Sequence, residues 1–537
     1  MIIFAFLQKK LYIALMHWSY EIAEEILRKY PNQEEYVVAS GISPSGSVHI
    51  GNYREFVTQY YVAKALQSKG KKVREIFSWD EFDRFRKVPK NFPADYAVHV
   101  GKPYVEIPSP YSEGESSAKY FEREFEVALQ KLGMNEIPVQ MIYQADEYRS
   151  GRYGKAIAEA IKKRKQIYDI IMSFKTQDGD EGERENYYPI SIYCPVCKKD
   201  DTTVVSFDEK TDVLTYKCKC GHEHSVDVKT ADNIKLVWKV DWPMRWKAEN
   251  VCFEAAGIDH HSEGGSYDVG SKIAREIWGI EPPASTCYAW VGIRGLGNMH
   301  SSSGINITPD QLLKVYEPEI LRYLYAKYPV GDAFDFGFDD TIIRHYMEFD
   351  RNLEKYLAND ESLAEYDRSV YDLCLMPNSK GGRVSFSTLA TVAPLTGFNQ
   401  DLTLKMLKQA GITVLGNFEE RFAKVKFWLE NYQPDRIYKL LPEFNRAYYD
   451  TLTDEQKTVL AQLADFLKTT HSESEIQNYL YQIINDPTLT KKENQQRQQT
   501  YFKIFYNMLF GRDAGPRLYL YLAVANPEDY LKLLQEK

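Results

Sequence analysis

A turn of small residues at positions 41–52 carries groups suited to holding a phosphate. Its candidate ligands are Ser43, Pro44, Ser45, Gly46, His49, Gly51 and Asn52. A helix that starts just after such a turn points backbone N–H groups and the positive end of its dipole at a bound anion. His49 can reach the same anion, and Gly51 lets a ligand lie close to the backbone. The alternative is an ordinary turn between two core elements, in which His49 is a helix cap.

Four of the seven cysteines cluster in two short turns. Cys194 and Cys197 are separated by two residues, whereas Cys218 and Cys220 are separated by one. Four thiolates at this spacing suit tetrahedral Zn²⁺, and such a site is structural because no position is left for water. Because the second pair has a single spacer, His222 in place of Cys218 or Cys220 stays an alternative. The remaining cysteines form no disulfide framework, which indicates a reducing compartment.

A cationic amino acid would need a carboxylate and aromatic faces. The candidate carboxylates are Asp80 and Glu254, and the candidate aromatic residues are Trp238, Trp242, Tyr267 and Tyr288. Asp259 can accept hydrogen bonds from ribose hydroxyls, with Gly257 beside it, and its alternative role is a helix cap. Core packing explains each of these residues equally well. Residue types alone therefore do not identify the ligand of these side chains.

The elements around the first turn predict a Rossmann-type α/β domain with a parallel sheet. Residues 36–39 are typical of a buried strand, and apolar residues at helical spacing follow His49. Residues 72–79 predict a second strand, which completes a right-handed β-α-β unit. Asp80 follows this strand, at the sheet edge where ligands of open α/β folds bind.

The pattern changes further along the chain. Strand 139–143 is followed by a predicted helix over about 153–174 and by a polar loop over 176–186. The aromatic run at 236–246 is predicted as a strand. From about residue 325 the apolar spacing is helical, and residues 453–456 form a capping box, so the C-terminal half is predicted to be a helical bundle.

Composition excludes several classes of partner. The net charge of −9 argues against general nucleic-acid binding, and no DNA partner is expected. The basic run at 162–165 is a local RNA-binding candidate or a solvated helix face. No stretch approaches the roughly 18 to 20 apolar residues that span a membrane. Residues 1–15 lack a signal-peptide cleavage site and are predicted to be an N-terminal extension, so a cytoplasmic location is expected.

Several of these segments resemble class I aminoacyl-tRNA synthetases. Residues 44–52 resemble the HIGH signature of that class, in the form seen in class I lysyl-tRNA synthetases. The chain also resembles four further motifs of the same family, which occur in the family's order at residues 79–89, 238–246, 257–260 and 264–267. The resemblance spans the chain from residue 16 to the C-terminal region. It implies that lysine and ATP form lysyl-adenylate and that the lysyl group is then passed to a tRNA.

The resemblance also implies site residues and cofactors. The implied ATP-binding residues are Ser43, Pro44, Ser45, Gly46, His49, Gly51, Asn52, Gly257, Asp259, Met299, His300, Ser301 and Ser302, of which His49, Asn52, Ser301 and Ser302 are the catalytic candidates. The implied lysine pocket contains Gly41, Ser43, Trp238, His260 and Tyr288, to which the residue chemistry adds Asp80 and Tyr267. Magnesium would enter with ATP, held by its phosphates.

The resulting domain prediction has five segments. They are an extension (1–15), the first half of the Rossmann domain (16–175), a zinc-ribbon-like insertion (176–230), the second half of the Rossmann domain (231–324) and a helical domain (325–537). The anticodon-binding role of the helical domain is implied by the resemblance alone.

The second class I signature departs from the family pattern. Where the family has K-M-S-x-S-K-G, residues 298–304 read N-M-H-S-S-S-G, so both lysines are missing. Losing such a preorganised cation costs roughly 3 kcal/mol, on the order of a hundredfold in rate. Arg294 and His300 are candidates to replace it. A second interpretation is therefore a tRNA-binding protein of synthetase ancestry whose activation is weak or lost.

Overall fold

The computed structural model describes residues 16–175, 180–295, 307–377 and 379–535. Their contacts divide them into two compact units. The first contains the described residues up to Leu312 together with Leu321–Phe336 and Ala364–Leu375. The second contains Leu313–Ile320, Gly337–Leu363 and the described residues from Met376 on. The finer division into five segments stays a prediction.

The strands are, in chain order, β1 (Tyr36–Ile42), β2 (Val73–Trp79), β3 (Val139–Tyr143), β4 (Ile190–Ile192), β5 (Thr202–Asp208), β6 (Val213–Cys218), β7 (Glu223–Asp227), β8 (Ile234–Leu236), β9 (Val251–Glu254), β10 (Ala256–Gly257), β11 (Cys287–Tyr288), β12 (Val291–Ile293) and β13 (Phe334–Phe336). The helices are α1 (Trp18–Lys29), α2 (Ile50–Ser68), α3 (Ser117–Lys131), α4 (Gln144–Arg149), α5 (Gly154–Lys162), α6 (Arg164–Met172), α7 (Glu181–Asn186), α8 (Trp238–Glu249), α9 (Ile258–His261), α10 (Ser266–Ile273), α11 (Pro309–Leu312), α12 (Pro318–Lys327), α13 (Thr341–Leu357), α14 (Glu365–Cys374), α15 (Phe386–Val392), α16 (Gln400–Gln409), α17 (Phe418–Tyr432), α18 (Arg446–Tyr449), α19 (Asp454–Phe466), α20 (Glu473–Ile484), α21 (Lys491–Phe510), α22 (Leu518–Val524) and α23 (Pro527–Leu534).

A parallel four-stranded sheet in the order β3-β2-β1-β9 forms the centre of the first unit. Strand β1 pairs with β2 from Tyr36 opposite Val73 to Ile42 opposite Trp79, so the two strands end level with each other. Helix α2 connects them and is buried along most of its length. The predicted β-α-β unit and the α/β fold class are confirmed. Level strand ends leave an opening at the carboxyl edge of the sheet.

The aromatic run at 236–246 was wrongly predicted as a strand, because most of it lies in helix α8. Trp238, Trp242 and Trp246 recur every four residues and therefore share one helix face. The helix is buried on nearly every side from Val240 to Trp246, so it lacks the polar stripe that usually marks a helix in a sequence. Pro243 lies inside this helix, and because proline usually interrupts helices, it makes the helix harder to predict from the sequence.

The helix predicted over 153–174 is also corrected, because α5 and α6 are separate helices that meet at Lys163. The loop predicted over 176–186 contains α7, which is capped by Asp180. Each residue of the basic run faces an acidic partner, in the pairs Lys162–Asp212, Lys163–Glu159, Arg164–Glu209 and Lys165–Glu185. The run is therefore a charge-paired surface, which weakens its case as an RNA site.

The cysteine-bearing insertion is built from short antiparallel strands. Strands β5, β6 and β7 form one sheet, and β4 pairs with β8 at the base of the insertion. Leu214 and Tyr216 on β6 join a core cluster that includes Ile157 and Ile161 of α5. This packing anchors the insertion to the helices that follow the central sheet.

The second unit is mainly helical. Helices α19 to α23 share one apolar core, and the predicted capping box is present, with Thr453 and Gln456 bonded reciprocally to each other's backbone. Within the described ranges, no helix combines the length and apolar character needed to cross a membrane.

Candidate active site

The carboxyl ends of β1, β2, β10 and β11 surround a cavity of about 500 Å³. Its walls include most of the predicted nucleotide ligands, namely Ser43, Ser45, Gly46, His49, Gly51, Asn52, Gly257 and Asp259. They also include most of the predicted amino-acid ligands, namely Gly41, Ser43, Asp80, Trp238, His260 and Tyr288. Segments far apart in the sequence thus meet around one space.

Some predicted residues do not line this cavity. Pro44 lies in the turn but is not part of the cavity wall. Tyr267 packs against Trp242 and Trp246 instead, and its hydroxyl donates to the carbonyl oxygen of Pro283. Its role is therefore to support the aromatic wall. Met299, His300, Ser301 and Ser302 lie outside the described residues.

His49 is both the cap of helix α2 and part of the cavity wall. Its Nδ1 accepts hydrogen bonds from the backbone N–H groups of Gly51, at 3.1 Å, and Asn52, at 3.3 Å. A neutral ring that accepts through Nδ1 carries its proton on Nε2. The N–H of Ile50 donates to Ile307, so the first amides of the helix are already bonded within the protein. The N–H groups of the turn at residues 43–46 and the side chain of His49 therefore stay the predicted phosphate ligands, and His49 also fills the cap role that the sequence left open.

Gly51 is required for this cap. A Cβ at position 51 would lie 2.9 Å from Cε1 and 3.0 Å from Nδ1 of the His49 ring. The glycine therefore makes room for His49, rather than only for a ligand as the sequence suggested.

An acidic recess opens at the inner side of the cavity. A smaller cavity of about 40 Å³ shares Gly41, Glu55 and Asp80 with the larger one and adds Glu254. Glu55 accepts hydrogen bonds from the N–H of Gly41, at 3.1 Å, and from the hydroxyl of Tyr288, at 2.8 Å. Burial raises the pKa of Glu55 to about 8 and also raises the pKa of Glu254. A cation bound in the recess would oppose this effect and favour the charged forms of both carboxyl groups.

A buried charge network fixes one wall of the recess. Arg245 binds Asp80, at 2.7 Å, and Asp241, at 3.5 Å. Lys235 in turn bridges Asp241 and Asp83, at 3.0 and 2.8 Å. Burial alone would raise the pKa of Asp241, but Arg245 and Lys235 hold it below its usual range. These ion pairs connect the end of β2 to β8 and α8. They explain why the acidic residues after β2 and the aromatic residues of α8, which are far apart in the sequence, both belong to this site.

Aromatic rings also line the recess, and Arg245 lies over the ring of Trp238, 5.2 Å from its centre. Trp238 stacks on Trp242 with ring centres 5.1 Å apart, and His260 lies 5.7 Å from Trp242. Burial lowers the pKa of His260, so its ring is neutral at physiological pH. Nε1 of Trp238 is buried and has no hydrogen-bond partner among the described residues. A ligand with an acceptor atom could satisfy it.

The other end of the cavity is more open. Gly257 precedes helix α9, on which Asp259 is exposed to the cavity. Ile258 is 51% exposed and Trp290 is 50% exposed, and both line the same space. Half-exposed apolar side chains beside an exposed carboxylate suit a nucleoside, whose base is flat and whose ribose carries hydroxyls.

Sequence reasoning missed several residues of this site. Glu55 is a lone carboxylate on a buried helix, four residues after Gly51 and hence on the same face, and that spacing was its available signal. Asp241 and Arg245 were hidden in the aromatic run that was predicted as a strand, and Lys235 directly precedes that run. The signs of their charges alternate along the chain, and that alternation was the sequence signal for a network of ion pairs.

A second candidate site lies in the insertion. Sγ atoms of Cys194, Cys197, Cys218 and Cys220 all lie within 4.8 Å of one another. The distance is 3.7 Å from Cys194 to Cys220 and 3.6 Å from Cys197 to Cys218. The four cysteines form a cluster that could hold a metal, and His222 is not part of it.

Comparison with known proteins decides the family. A sequence model described as tRNA synthetases class I (K) matches residues 16–376. The chain belongs to this family. A protein named Lysine--tRNA ligase from Thermococcus kodakarensis is 35% identical to this synthetase, over 97% of the chain and 99% of the relative.

Other relatives agree with this match. A Lysine--tRNA ligase from Pyrococcus horikoshii is 33% identical to the synthetase over 97% of the chain and 99% of its own length. A Lysine--tRNA ligase from Borreliella burgdorferi is 33% identical over 96% of the chain and 98% of its own length. The similarity therefore extends past residue 376, through the helical unit.

Proposed function

We propose that the protein is a class I lysine–tRNA ligase. In the first step a carboxylate oxygen of lysine attacks the α-phosphorus of ATP, which forms lysyl-adenylate and releases pyrophosphate. In the second step the lysyl group moves to the terminal ribose of a tRNA. The observation that carries the proposal is the full-length similarity to proteins named Lysine--tRNA ligase. The meeting of the family motifs around one cavity supports it.

The nucleotide is proposed to occupy the open end of the cavity. Asp259 would accept the ribose hydroxyls, with Gly257 beside the adenosine. The phosphates would lie against Ser43, Ser45 and His49, whose hydroxyl and ring N–H groups are donors of the type that phosphate oxygens accept from. The proposed catalytic residues also include Asn52, Ser301 and Ser302. The proposed nucleotide-binding residues also include Met299 and His300. Magnesium would be held by the phosphates and would neutralise part of their charge.

The lysine side chain is proposed to enter the acidic recess. Glu55, Asp80 and Glu254 line the smaller cavity, and Arg245 is the cation there among the described residues. Carboxyl groups in a desolvated recess can ionise against a bound ammonium, whereas the carboxylate of glutamate would meet groups of its own charge. The stacked rings of Trp238 and Trp242 would pack against the methylenes of the lysine side chain. Gly41, Ser43, His260 and Tyr288 would surround its α-carbon.

The cysteine cluster is proposed to hold a structural Zn²⁺. In a tetrahedral site with Zn–S bonds of about 2.3 Å, sulfur atoms lie about 3.8 Å apart. Two of the Sγ–Sγ distances, 3.6 and 3.7 Å, fit that spacing, and all four sulfur atoms lie within 4.8 Å of one another. Four thiolates leave no open position, so the ion would hold the two turns together and would take no part in the reaction.

The alternative of a tRNA-binding protein without activation is not favoured. The observation on its side is the missing pair of lysines in residues 298–304. Against it stand the intact cap at His49 and an acidic recess that a protein without amino-acid binding would not need. The proposal also places the protein in the cytoplasm, where tRNA is charged.

Pyrophosphate exchange tests the proposal. Purified protein is assayed for amino-acid-dependent exchange of labelled pyrophosphate into ATP, with each standard amino acid, in the presence and absence of total tRNA. We expect exchange with lysine alone. Exchange with a different amino acid would overturn the lysine assignment, and tRNA binding without any exchange would support the alternative.

A further inference from the structure

The segment that corresponds to the second signature supplies no lysine or arginine for the phosphates of ATP. Residues 295–306, which include the second signature, contain neither lysine nor arginine. The charged residues that line the cavity from the described part of the chain are Glu55, Asp80, Asp83, Asp259 and Arg86. A triphosphate placed against four carboxylates needs a positive charge within the same walls.

Arg86 is the arginine available for this purpose. It lies in the segment after β2 and lines the cavity together with Ser45 and His49. Its side chain is exposed, and among the described residues it forms no salt bridge. By contrast, Arg84 in the same segment is paired with Asp200, at 3.0 Å. Arg294, the candidate suggested by the sequence, does not line the cavity.

The backbone around Arg86 is firmly held. Phe85 is 1% exposed and belongs to a cluster with Phe92, Ile107 and Phe121. The N–H of Phe85 donates to Lys102, and its carbonyl accepts from Gly101. A charged group on such a fixed backbone loses less freedom when it meets a ligand than one on a free loop.

Hydrogen bonds of Asp83 show which end of the cavity the Arg86 segment faces. The Ser43 hydroxyl donates to Oδ2 of Asp83, at 3.2 Å, and the carbonyl of Asp83 accepts from the N–H of Tyr104, at 3.1 Å. Asp83 and Arg86 belong to the same short segment after β2, and both line the cavity. Because Ser43 belongs to the turn before His49, this segment lies beside the phosphate candidates.

We propose that Arg86 binds the β- and γ-phosphates of ATP and supplies the positive charge that residues 298–304 lack. This inference rests on the proposed function. As the lysine carboxylate oxygen bonds to the α-phosphorus, the bond from that phosphorus to the bridging oxygen breaks, and its electron pair leaves with pyrophosphate. Arg86 transfers no proton. It stabilises the charge that accumulates on the leaving group, and its planar fork can bind two phosphate oxygens at once.

Three variants test this role, with Lys87→Ala as the matched control. Lys87 is the next residue, is exposed and does not line the cavity. We expect Arg86→Ala to lower kcat/KM for ATP in lysine-dependent exchange about a hundredfold. Arg86→Lys should lose about tenfold because it keeps the charge but not the fork, and Lys87→Ala should remain within twofold of wild type.

Binding measurements separate the possible failures. The Kd of Mg-ATP and the Kd of adenosine, which has no phosphates, are measured for each variant. Arg86→Ala should weaken Mg-ATP and leave adenosine unchanged. Equal weakening of both ligands, or exchange within threefold of wild type, would overturn the role of Arg86. An inactive wild type would instead contradict the proposed function, while the two binding constants would still test Arg86.

Discussion

At the residue scale, ionisation of Glu55 governs how the recess receives lysine. The carboxyl is buried beside Tyr288, and burial raises its pKa to about 8. Below that pH the group holds a proton and is neutral, whereas above it the group is charged and attracts an ammonium. With this pKa the ionised fraction rises from about 3% at pH 6.5 to about half at pH 8, so lysine affinity should rise roughly fifteenfold over that range. Calorimetric titration of lysine over this range measures the effect.

Glu55→Gln is the matched variant for this prediction. It keeps the shape and a hydrogen-bonding group but cannot ionise, so its lysine affinity should be low and nearly constant over the same range. Binding by wild type should also release a proton, which is seen as a dependence of the binding enthalpy on the buffer. A wild-type affinity that is flat with pH would show that Glu55 does not face the ammonium.

At the element scale, Arg245 ties helix α8 to the end of β2. Its replacement by methionine leaves Asp80 buried without its cation, and breaking such a pair costs about 3–5 kcal/mol. We expect Arg245→Met to lower the free energy of unfolding by this amount. Urea unfolding followed by tryptophan fluorescence measures it, because Trp238, Trp242 and Trp246 lie on the same helix.

Two further variants control this measurement. Arg275→Met removes an exposed pair with Glu281 and should cost less than about 1 kcal/mol. Adding Asp80→Asn to Arg245→Met removes the stranded charge and should recover part of the loss. If Arg245→Met were no more destabilising than Arg275→Met, the network would not hold α8.

The two cysteine turns are the second element with a distinct prediction. We expect one zinc ion per chain by elemental analysis, and Cys197→Ser should lower that content to near zero. The insertion should then lose its protection from proteolysis, while the central sheet keeps its own. Cys252→Ser provides the control, because Cys252 lies on β9, outside the cluster. Full metal content in Cys197→Ser would contradict the assigned ligands.

The sequence predicts some elements of this fold better than others. The strand, turn and helix around His49 were predictable because the signals are local and each agrees with the next. Helix α8 was not, because a helix buried on all sides shows no amphipathic pattern. Glu55 and Arg86 were missed as ligands for a related reason. Their roles depend on which other strands end beside them, and residue spacing does not record that.

At the scale of the whole molecule, the site exists because the four-stranded sheet and the separate pair of strands β10 and β11 bring distant segments together. Residues 41–55, 80–86, 238–260 and 288–290 all contribute to one cavity. Their alignment follows from β1, β2, β10 and β11 presenting their carboxyl ends to the same space. The similarity to Lysine--tRNA ligases, which also covers the helical unit, adds the expectation that the chain binds and charges a tRNA.

Formation of lysyl-tRNA tests the central claim most directly. Labelled lysine, ATP and total tRNA are incubated with wild type and with His49→Ala, and tRNA binding is measured in parallel. Wild type should charge tRNA with lysine, whereas His49→Ala should bind tRNA normally and charge it at least about a hundredfold more slowly. A wild-type protein that binds tRNA but attaches no lysine to it would contradict the assignment as a lysine–tRNA ligase.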